Sequence, residues 1–311
     1  MRSTARTYRE LAGSVAVVTG GGRGIGRVLA RALAGSGAAV GLIARTGEEL
    51  RESAQLIRAA RGVAAWAPAD LSDPRAASTA MATLRRELGP IDLLVNNAGT
   101  GGPIGPAWEV PEQDWWRTIE VNLRTVTLCS RLVLPDMVAR RRGRIVNVTS
   151  YAGVFRWPLA SAYSVSKAAV VKFTENLARE TRQYGISVFS VHPGLVPIGL
   201  TALALDAHPP TDSPGGRVSA WVRNELAAGR GAQPHQVAEL VIRIAAGETD
   251  QLSGRHLSVH DDLDSLLART EDVLSGDLYA LRLRTLSGTE PDGSAGATQG
   301  QRRRPACGDK R

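Results

Sequence analysis

The chain has 311 residues, and its 43% hydrophobic and 22% charged residues are ordinary for a soluble globular protein. Its two cysteines, Cys129 and Cys307, exclude a disulfide-built scaffold and fit a reducing compartment. The net charge of +8 comes almost wholly from scattered arginines, and the clusters at residues 140–144 and 302–304 are not interleaved with aromatic residues. We therefore predict no nucleic-acid partner.

The chain carries no sequence signal for export or for a membrane. Residues 1–13 are basic and lack the apolar core of a secretion signal. No stretch approaches the roughly 18 consecutive apolar residues of a membrane span. The five histidines show no metal-ligand spacing. We predict a cytoplasmic protein with no membrane partner and no metal site.

Short apolar runs alternate with stretches of helical periodicity along most of the chain. The predicted strands are residues 14–19, 39–44, 63–68, 91–96, 144–149, 186–192 and 256–259. The predicted helices are residues 25–34, 48–60, 74–88, 112–138, 160–184 and 236–246. Strands separated by such helices indicate βαβ units, and unbroken apolar strands indicate a sheet covered on both faces. The pattern predicts an α/β fold with a doubly wound parallel sheet, a Rossmann-like three-layer sandwich.

Two segments depart from this alternation. Residues 195–231 are rich in Pro, Gly and Asp, and they predict a substrate lid loop with some helix over residues 218–228. Residues 260–285 predict a C-terminal helical extension with helix-like stretches at 263–274 and 277–283.

These segments give a single-domain organisation. We predict an N-terminal arm at residues 1–13, one domain over residues 14–285, and a tail over residues 286–311. The tail is rich in Gly, Ser, Thr and Gln without apolar periodicity, a composition typical of disorder.

A glycine-rich sequence, TGGGRGIG at residues 19–26, lies between the first predicted strand and the first predicted helix. Glycines there allow a tight turn, close backbone approach to a pyrophosphate, and tight packing of helix on strand. The start of the helix adds free N–H groups and a positive dipole end. The position between strand and helix favours a dinucleotide site over a merely flexible turn. The predicted contact residues are Gly20, Gly22, Arg23, Gly24, Ile25 and Gly26.

The end of the second predicted strand indicates which dinucleotide binds. NAD enzymes usually place an acidic residue there against the ribose 2′-hydroxyl, but this strand runs into Arg45 without an acid. Arg45, helped by Arg23, can pair bidentately with a 2′-phosphate. The alternative is that both are solvated surface arginines. We predict that NADP(H) is preferred, with NAD(H) possible.

Tyr163 and Lys167 are spaced i and i+4, so they share one face of a predicted helix. The usual tyrosine pKa of about 10 suits proton transfer poorly, but a neighbouring ammonium or an oxidised nicotinamide lowers it. A phenol tuned in this way can act as an acid toward a ketone or as a base toward an alcohol. Ser150 follows the fifth strand, at the ligand-binding edge of such a sheet, and can hydrogen-bond the substrate oxygen. Taken alone, Tyr163 and Lys167 would more simply be an exposed helical pair.

Several motifs follow one another at compatible spacing between residues 14 and 259. They are TGGGRGIG at 19–26, NNAG at 96–99, Asn122, Ser150, YSVSK at 163–167 and Pro193-Gly194. In this order and spacing the chain resembles the short-chain dehydrogenase/reductase family.

The resemblance implies a ketone/alcohol oxidoreductase and assigns roles to residues. Tyr163 is then the acid/base, and Ser150 holds the substrate oxygen. Lys167 binds the nicotinamide ribose, and Asn122 anchors a proton-relay water, although Asn122 alone could also be a helix cap or a main-chain tie. The other cofactor contacts that the resemblance implies are Asp70 and Leu71 at the adenine, Asn97, Ala98 and Gly99 at the adenosine ribose, Pro193 and Gly194 after the sixth strand, and Val196 at the carboxamide.

The chain departs from the family pattern at two places. Ile198 stands where the family often has a Thr that hydrogen-bonds the carboxamide, so one cofactor contact differs. After the last strand, His260-Asp261-Asp262 replaces the Gly-Gly turn of many relatives, and the chain then continues.

Three residues are candidates for substrate contact. Arg156 and Trp157 lie between Ser150 and Tyr163, where family members line the substrate pocket. Arg156 could pair with an anionic substrate, though a solvated arginine is the simpler interpretation, and Trp157 could equally be packing. Among the tryptophans near Asn122, Trp108 is the better pocket candidate.

Other activities remain open on this fold. The same fold and cofactor site serve dehydratases, epimerases and imine reductases, and a regulatory protein that binds cofactor without turnover is a further alternative. The complete set of Asn122, Ser150, Tyr163 and Lys167 favours an enzyme acting on a small carbonyl or alcohol compound. The resemblance also implies a homodimer or homotetramer assembled through its long helices.

Overall fold

The structure, a computed structural model, describes residues 11–283. Its strands are β1 (Val15–Thr19), β2 (Ala39–Ala44), β3 (Val63–Pro68), β4 (Leu93–Asn96), β5 (Gly143–Val148), β6 (Ile186–His192) and β7 (His256–Ser258). All strands are parallel, and they form one seven-stranded sheet with the order β3-β2-β1-β4-β5-β6-β7. Each predicted strand agrees with an observed strand to within two residues at either end. The predicted doubly wound α/β fold is confirmed.

Helices cover both faces of the sheet. They are α1 (Gly24–Gly35), α2 (Gly47–Ala59), α3 (Pro74–Leu88), α4 (Glu112–Ile119), α5 (Thr125–Arg140), α6 (Ser161–Thr181), α7 (Leu200–Asp206), α8 (Pro214–Ala227), α9 (Pro234–Ala246), α10 (Leu263–Ala268) and α11 (Thr270–Ser275). On one face, Leu29 of α1 and Val241 of α9 are buried against the sheet. On the other, Leu84 of α3 and Val133 of α5 are buried. Successive strand residues point to opposite faces, so each strand contributes to both halves of the core.

The region predicted as one helix over residues 112–138 has three parts. α4 ends at Ile119, a π-helical turn covers Glu120–Arg124, and α5 follows. The long helix is confirmed as one continuous helical run, but the sequence did not predict the π turn, because such a turn widens the ladder to i→i+5 bonds without changing the overall apolar pattern. Such turns occur often at functional sites, and Asn122 lies in the middle of this one.

The 195–231 segment is more helical than its composition predicts. It contains both α7 and α8, and α8 begins at Pro214 rather than at the predicted residue 218. Proline suits the first turn of a helix because its missing N–H has no intrahelical partner there. The Ser213 side chain caps this start by accepting the N–H of Gly216 at 3.0 Å.

Two hydrogen bonds close the 195–231 segment on itself. The Ser219 hydroxyl of α8 donates to the Ala204 carbonyl of α7 at 2.9 Å, which joins the two helices. At the base, the Ala232 amide donates to the Leu195 carbonyl at 3.0 Å. The two ends of the segment therefore lie next to each other.

The chain beyond β7 forms α10 and α11 where the sequence predicts one helix over residues 263–274. The second predicted helix, over residues 277–283, is wrong. Asp277 and Tyr279 have left-handed backbone, with φ of 44° and 59°, which interrupts a right-handed helix. Instead the Tyr279 carbonyl accepts the amide of His256 at 2.8 Å, so this stretch covers the free edge of β7.

Part of the predicted organisation lies outside the described residues. This holds for the predicted tail at residues 286–311, with Cys307 and residues 302–304, and for most of the N-terminal arm. A second compact unit begins at Leu281, of which residues 281–283 are described, without regular secondary structure. Within residues 11–283, no helix is both long and apolar enough to cross a membrane. The same residues contain no group of three or more His, Cys, Asp or Glu side chains placed to hold a metal ion.

Candidate active site

A cleft of about 1250 Å³ opens along the carboxyl ends of the central strands. β1 and β4 are neighbours in the sheet, yet the chain runs from β1 outward to β2 and from β4 outward to β5. The strand order therefore reverses between β1 and β4, and open parallel sheets bind ligands in the crevice at that point. The walls of the cleft come from the glycine-rich loop, from the ends of β4 and β5, from α6 and from the 195–231 segment.

The predicted site residues line this cleft, with the exceptions of Asn122, Val196 and Trp108. Asn122 is fully buried behind the wall. Val196 is 1% exposed and belongs to the core, and Leu195 and Ile198 line the cleft around it. Trp108 is 84% exposed, so its predicted place in a pocket wall is wrong, because the ring lies in solvent.

The glycine-rich loop is folded so tightly that side chains are excluded from it. Gly20 and Gly24 have φ of 67° and 53°, in the left-handed region that favours glycine. A Cβ on Gly26 would lie only 2.1 Å from the carbonyl oxygen of Gly20, so α1 starts in direct contact with the end of β1. This shape lets the backbone approach a pyrophosphate closely at a helix start, and the residues present therefore fit a dinucleotide.

A polar knot joins the glycine-rich loop to the end of β4. The Thr19 hydroxyl oxygen accepts the amides of Asn97 and Ala98 at 2.9 and 3.0 Å. The Asn97 side chain donates back to the Thr19 carbonyl at 3.0 Å. The predicted phosphate and ribose contacts thus share one rigid floor of the cleft.

Tyr163, Ser150 and Lys167 come together at the end of β5. The Tyr163 hydroxyl lies next to the Ser150 hydroxyl, and the Ser150 oxygen accepts the amide of Ala152 at 3.1 Å. Lys167 Nζ donates to the Val148 carbonyl at 2.9 Å and lies 5.7 Å from the centroid of the Tyr163 ring. The predicted sharing of one α6 face is confirmed.

Burial opposes charge on both Tyr163 and Lys167. It raises the pKa of Tyr163, and the hydrogen bond with Ser150 offsets only part of that rise. It lowers the pKa of Lys167 to about 8. In the protein alone burial outweighs the effects that favour the phenolate, so the pKa of Tyr163 is not lowered as predicted. Tyr163 is therefore a neutral phenol near neutral pH, as a proton donor must be.

The Asn122 side chain ties two elements together. Its Oδ1 accepts the Thr100 amide at 2.8 Å, and its Nδ2 donates to the Thr100 carbonyl at 2.9 Å. Nδ2 also donates to the Ser166 hydroxyl of α6 at 3.0 Å. The π turn that carries Asn122 thereby fixes the loop after β4 against the helix that bears Tyr163. Asn122 is therefore a main-chain tie, one of the alternatives that the sequence left open for it.

Arg45, Arg23 and Asp70 line the part of the cleft next to β2 and β3. Arg23 Nη1 lies 3.6 Å from Glu49 Oε1, so its charge is partly compensated. Hydrogen bonds from Ser72 hold the pKa of Asp70 below its usual value, and neighbouring arginines add to this effect. Arg45 forms no ion pair with any described residue, and its guanidinium is the better placed of the two for an anionic ligand.

Aromatic side chains line another part of the cleft. Trp157 meets Trp221 of α8 edge to face, with ring centroids 4.5 Å apart. Tyr151 and Phe155 meet in the same manner at 5.3 Å. Arg156 also lines the cleft and is exposed. The sequence identified Trp157 and Arg156 but missed the other three, which carry no motif.

Two histidines at strand ends escaped the sequence analysis. His192 lines the cleft, and its ring stacks on Tyr151 with centroids 3.9 Å apart. His256 lies behind it, with Nδ1 3.0 Å from the Ser190 hydroxyl. Burial lowers the pKa of His192 to about 3, helped by His256 and His260, and lowers the pKa of His256 to about 4. For His192, the last residue of β6, the position at the carboxyl edge of a parallel sheet was the available signal, whereas His256 is the first residue of β7 and carried none.

The neutral burial of His256 predicts acid sensitivity. Its folded pKa of about 4 lies below the ordinary 6.5, so the unfolded chain takes up a proton first as the pH falls. The stabilisation is complete at pH values above the pKa of His256 in the unfolded chain, and it is lost as the pH falls toward the pKa in the folded protein. From about pH 7 to about pH 5, His256 should remove about 2 kcal/mol from the free energy of unfolding. Urea unfolding over that range measures the slope.

The control for this experiment is an exposed histidine. His256→Gln should reduce the pH dependence of the free energy of unfolding by about 2 kcal/mol over this range, leaving the similar contribution of His192, whereas His235→Gln on the surface should leave it as in the wild type. Equal slopes for wild type and His256→Gln would contradict the assignment.

Comparison with known proteins places this geometry in context. A family model described as short chain dehydrogenase matches residues 14–206. A short chain dehydrogenase of Pseudocercospora fijiensis is 35% identical over 287 residues, covering 89% of this chain and 90% of that protein. The cis-4-hydroxycyclohexanecarboxylate dehydrogenase of Sinomonas cyclohexanicum is 36% identical, covering 79% and 94%. The crystal structure of an actinorhodin polyketide ketoreductase with NADPH matches with a TM-score of 0.73 at 32% identity, covering 79% of this chain and 95% of that one.

Proposed function

Because this chain belongs to the short-chain dehydrogenase/reductase family of NAD(P)-dependent oxidoreductases, we propose that it interconverts a ketone and a secondary alcohol with NADP(H). One observation carries the proposal. The Tyr163 hydroxyl lies next to Ser150 in a cleft whose floor is the glycine-rich loop. Such a cleft can hold a dinucleotide and a carbonyl group side by side.

The protein's own part in the reaction is to hold the substrate oxygen and move its proton. The bound nicotinamide supplies or accepts the hydride. The Ser150 oxygen already accepts the Ala152 amide, so its hydroxyl proton can be donated to the substrate carbonyl oxygen. Tyr163 gives its proton to the same oxygen as negative charge develops there, and in oxidation its phenolate takes a proton from the alcohol.

Lys167 and Asn122 support this proton transfer in different ways. The Lys167 ammonium would lie 3.7 Å from a Cβ on Gly99, at the wall assigned to the cofactor, where it can bind ribose hydroxyls. Its positive charge also stabilises the Tyr163 phenolate after the proton has left. Asn122 is a positioning residue, because its side chain is occupied by Thr100 and Ser166.

The preference for NADP(H) rests on charge. β2 ends at Ala44 without an acidic residue, and Arg45 follows it, lining the cleft without an ion pair to a described residue. A guanidinium binds a 2′-phosphate bidentately, whereas the ribose of NAD offers it no charge to pair with. The actinorhodin ketoreductase, a relative of 32% identity, has NADPH in its structure.

The substrate belongs to the class of ketones with a bulky apolar or aromatic body. Tyr151, Phe155, Trp157 and Trp221 line the cleft, and Phe155 is 66% exposed there. Aromatic rings at a cleft mouth gain most by covering another large apolar surface. One relative of known structure, at 32% identity, is named as a polyketide ketoreductase.

A cofactor oxidation assay tests the proposed reaction. Purified protein is given NADPH or NADH with a panel of aryl ketones and small aliphatic ketones, and cofactor absorbance is followed. We expect consumption that is faster with NADPH than with NADH, and faster with aryl than with small ketones. If NADPH binds but no ketone is reduced and no alcohol oxidised, while an imine is reduced, the proposed reaction is wrong.

We also propose a homodimer or homotetramer. Trp116 of α4 is 56% exposed and Val165 of α6 is 49% exposed, although both are large apolar side chains. Apolar surface on the long helices favours association through them.

A further inference from the structure

His192 stands next to the proposed proton-transfer group. It is the last residue of β6, whose neighbour β5 leads directly into Ser150. In the ladder between these strands Val191 pairs with Val148, so the His192 ring lies beside the residues that follow β5. The ring lines the cleft. Nothing in the proton transfer described above makes use of it.

The orientation of the His192 ring is fixed from two sides. The Tyr151 amide donates to His192 Nδ1 at 3.3 Å, and the Tyr151 ring stacks on the imidazole at an interplanar angle of 24°. In a neutral imidazole one nitrogen accepts and the other carries the proton. Because Nδ1 accepts, the proton is on Nε2.

The Nε2–H group of His192 is a donor without a partner in the described part of the chain. Its only hydrogen bond to those residues is through Nδ1, and Nε2 is not one of the enclosed, unpaired atoms of the interior. The group therefore opens on the cleft that the ring lines. A donor that loses water when a ligand enters is costly to leave unpaired, so the ligand is expected to supply an acceptor.

The charge of the ring limits what that acceptor can be. Burial, with His256 and His260 nearby, lowers the pKa of His192 to about 3, and the ring is neutral in the usual pH range. Tyr151 stacks on it, and no carboxylate among the described residues is hydrogen-bonded to it. A neutral donor favours an uncharged carbonyl or hydroxyl oxygen over a carboxylate, which a cation would bind better.

We propose that His192 is a specificity-determining residue whose Nε2–H donates to a second, uncharged oxygen of the substrate near the reacting carbonyl. The inference rests on the proposed function, since Ser150 and Tyr163 are then occupied by the first oxygen. Adjacent parallel strands are about 4.8 Å apart, so donors at the ends of β5 and β6 suit oxygens only a few bonds apart. The substrate class is a ketone that carries a nearby ester, ketone or hydroxyl oxygen.

A matched pair of ketones tests this role. Hexanophenone and ethyl benzoylacetate are of similar size, but only the second has an ester beyond the ketone. We expect His192→Phe to lower the ratio of kcat/KM, ester ketone over simple ketone, by about tenfold, the effect of one hydrogen bond. His192→Gln, whose amide can still donate, should restore most of the ratio. His235→Phe, an exposed histidine, should leave it unchanged.

The outcomes test the role of His192 separately from the proposed ketone reduction. The role of His192 would be overturned if His192→Phe left the ratio unchanged, or if His192→Gln lowered it as much as His192→Phe does. Reduction of either ketone by the wild type would still uphold the proposed function. If the wild type reduces neither ketone, the position of the proton on the His192 ring is measured directly. ¹⁵N NMR, with His192→Gln to assign the signal, should show the proton on Nε2, and a proton on Nδ1 would overturn the inference.

Discussion

Tyr163→Phe is expected to lower kcat for ketone reduction by about 10²- to 10⁴-fold, the usual contribution of a positioned proton donor. The change removes the hydroxyl next to Ser150 and leaves the half-buried ring in place. NADPH binding should persist, because the glycine-rich loop and Arg45 are untouched. Stopped-flow measurement of NADPH oxidation, with cofactor binding followed by fluorescence, separates the chemical step from binding.

The same substitution elsewhere provides the control. Tyr184→Phe, in the short helical turn after α6, removes a hydroxyl that lies outside the cleft. It should change neither kcat nor NADPH binding. A Tyr163→Phe protein that binds NADPH and reduces ketones as fast as the Tyr184→Phe protein would remove Tyr163 from the proton transfer.

Arg45→Asp is expected to lower the ratio of kcat/KM for NADPH over NADH by about 10²-fold. The loss of a charge-assisted hydrogen bond to the 2′-phosphate accounts for about 1.5–3 kcal/mol, or roughly 10- to 100-fold. The new carboxylate repels the phosphate and can accept the ribose 2′-hydroxyl of NADH, which moves the ratio further in the same direction. Initial rates with each cofactor at a fixed ketone concentration give the ratio.

Arg31→Asp makes the same charge change on the exposed surface of α1, outside the cleft. Its NADPH/NADH ratio should match that of the wild type, which separates local recognition from the general field of a basic protein. If Arg45→Asp left the ratio at the Arg31→Asp value, the 2′-phosphate would have to be recognised elsewhere, and Arg23 would be the next arginine to replace.

The layout of the sheet and the meeting of Tyr163, Lys167 and Ser150 could both be predicted from the sequence. Strand and helix alternate with strong periodicity, and the parallel order brings strand ends to one edge. The i, i+4 spacing then places Tyr163 and Lys167 on the face of α6 next to Ser150. These features depend on local pattern and connectivity, which a sequence records.

Features set by tertiary packing were not predictable in the same way. A π turn adds one residue to the helical ladder. The apolar pattern around Asn122 is the same with or without that turn, so the pattern does not predict it. Whether Trp108 faces solvent or the cleft depends on the path of an irregular loop. The rise in the Tyr163 pKa depends on how completely the finished fold excludes water, and spacing to Lys167 carries no information about that.

The adjoining ends of the 195–231 segment make most of it, residues 200–231, an exchangeable cassette. Its two ends meet at the bond between Ala232 and Leu195, and it supplies Trp221 to the cleft while the Thr19–Asn97 knot lies outside it. Because Val196 belongs to the core and Gly199 packs against Gly24 of the glycine-rich loop, residues 195–199 must stay. Grafting a different stretch in place of residues 200–231 would alter which ketones are admitted without disturbing the floor that takes the dinucleotide. New substrate ranges can thus arise on this scaffold by replacing one contiguous stretch of gene.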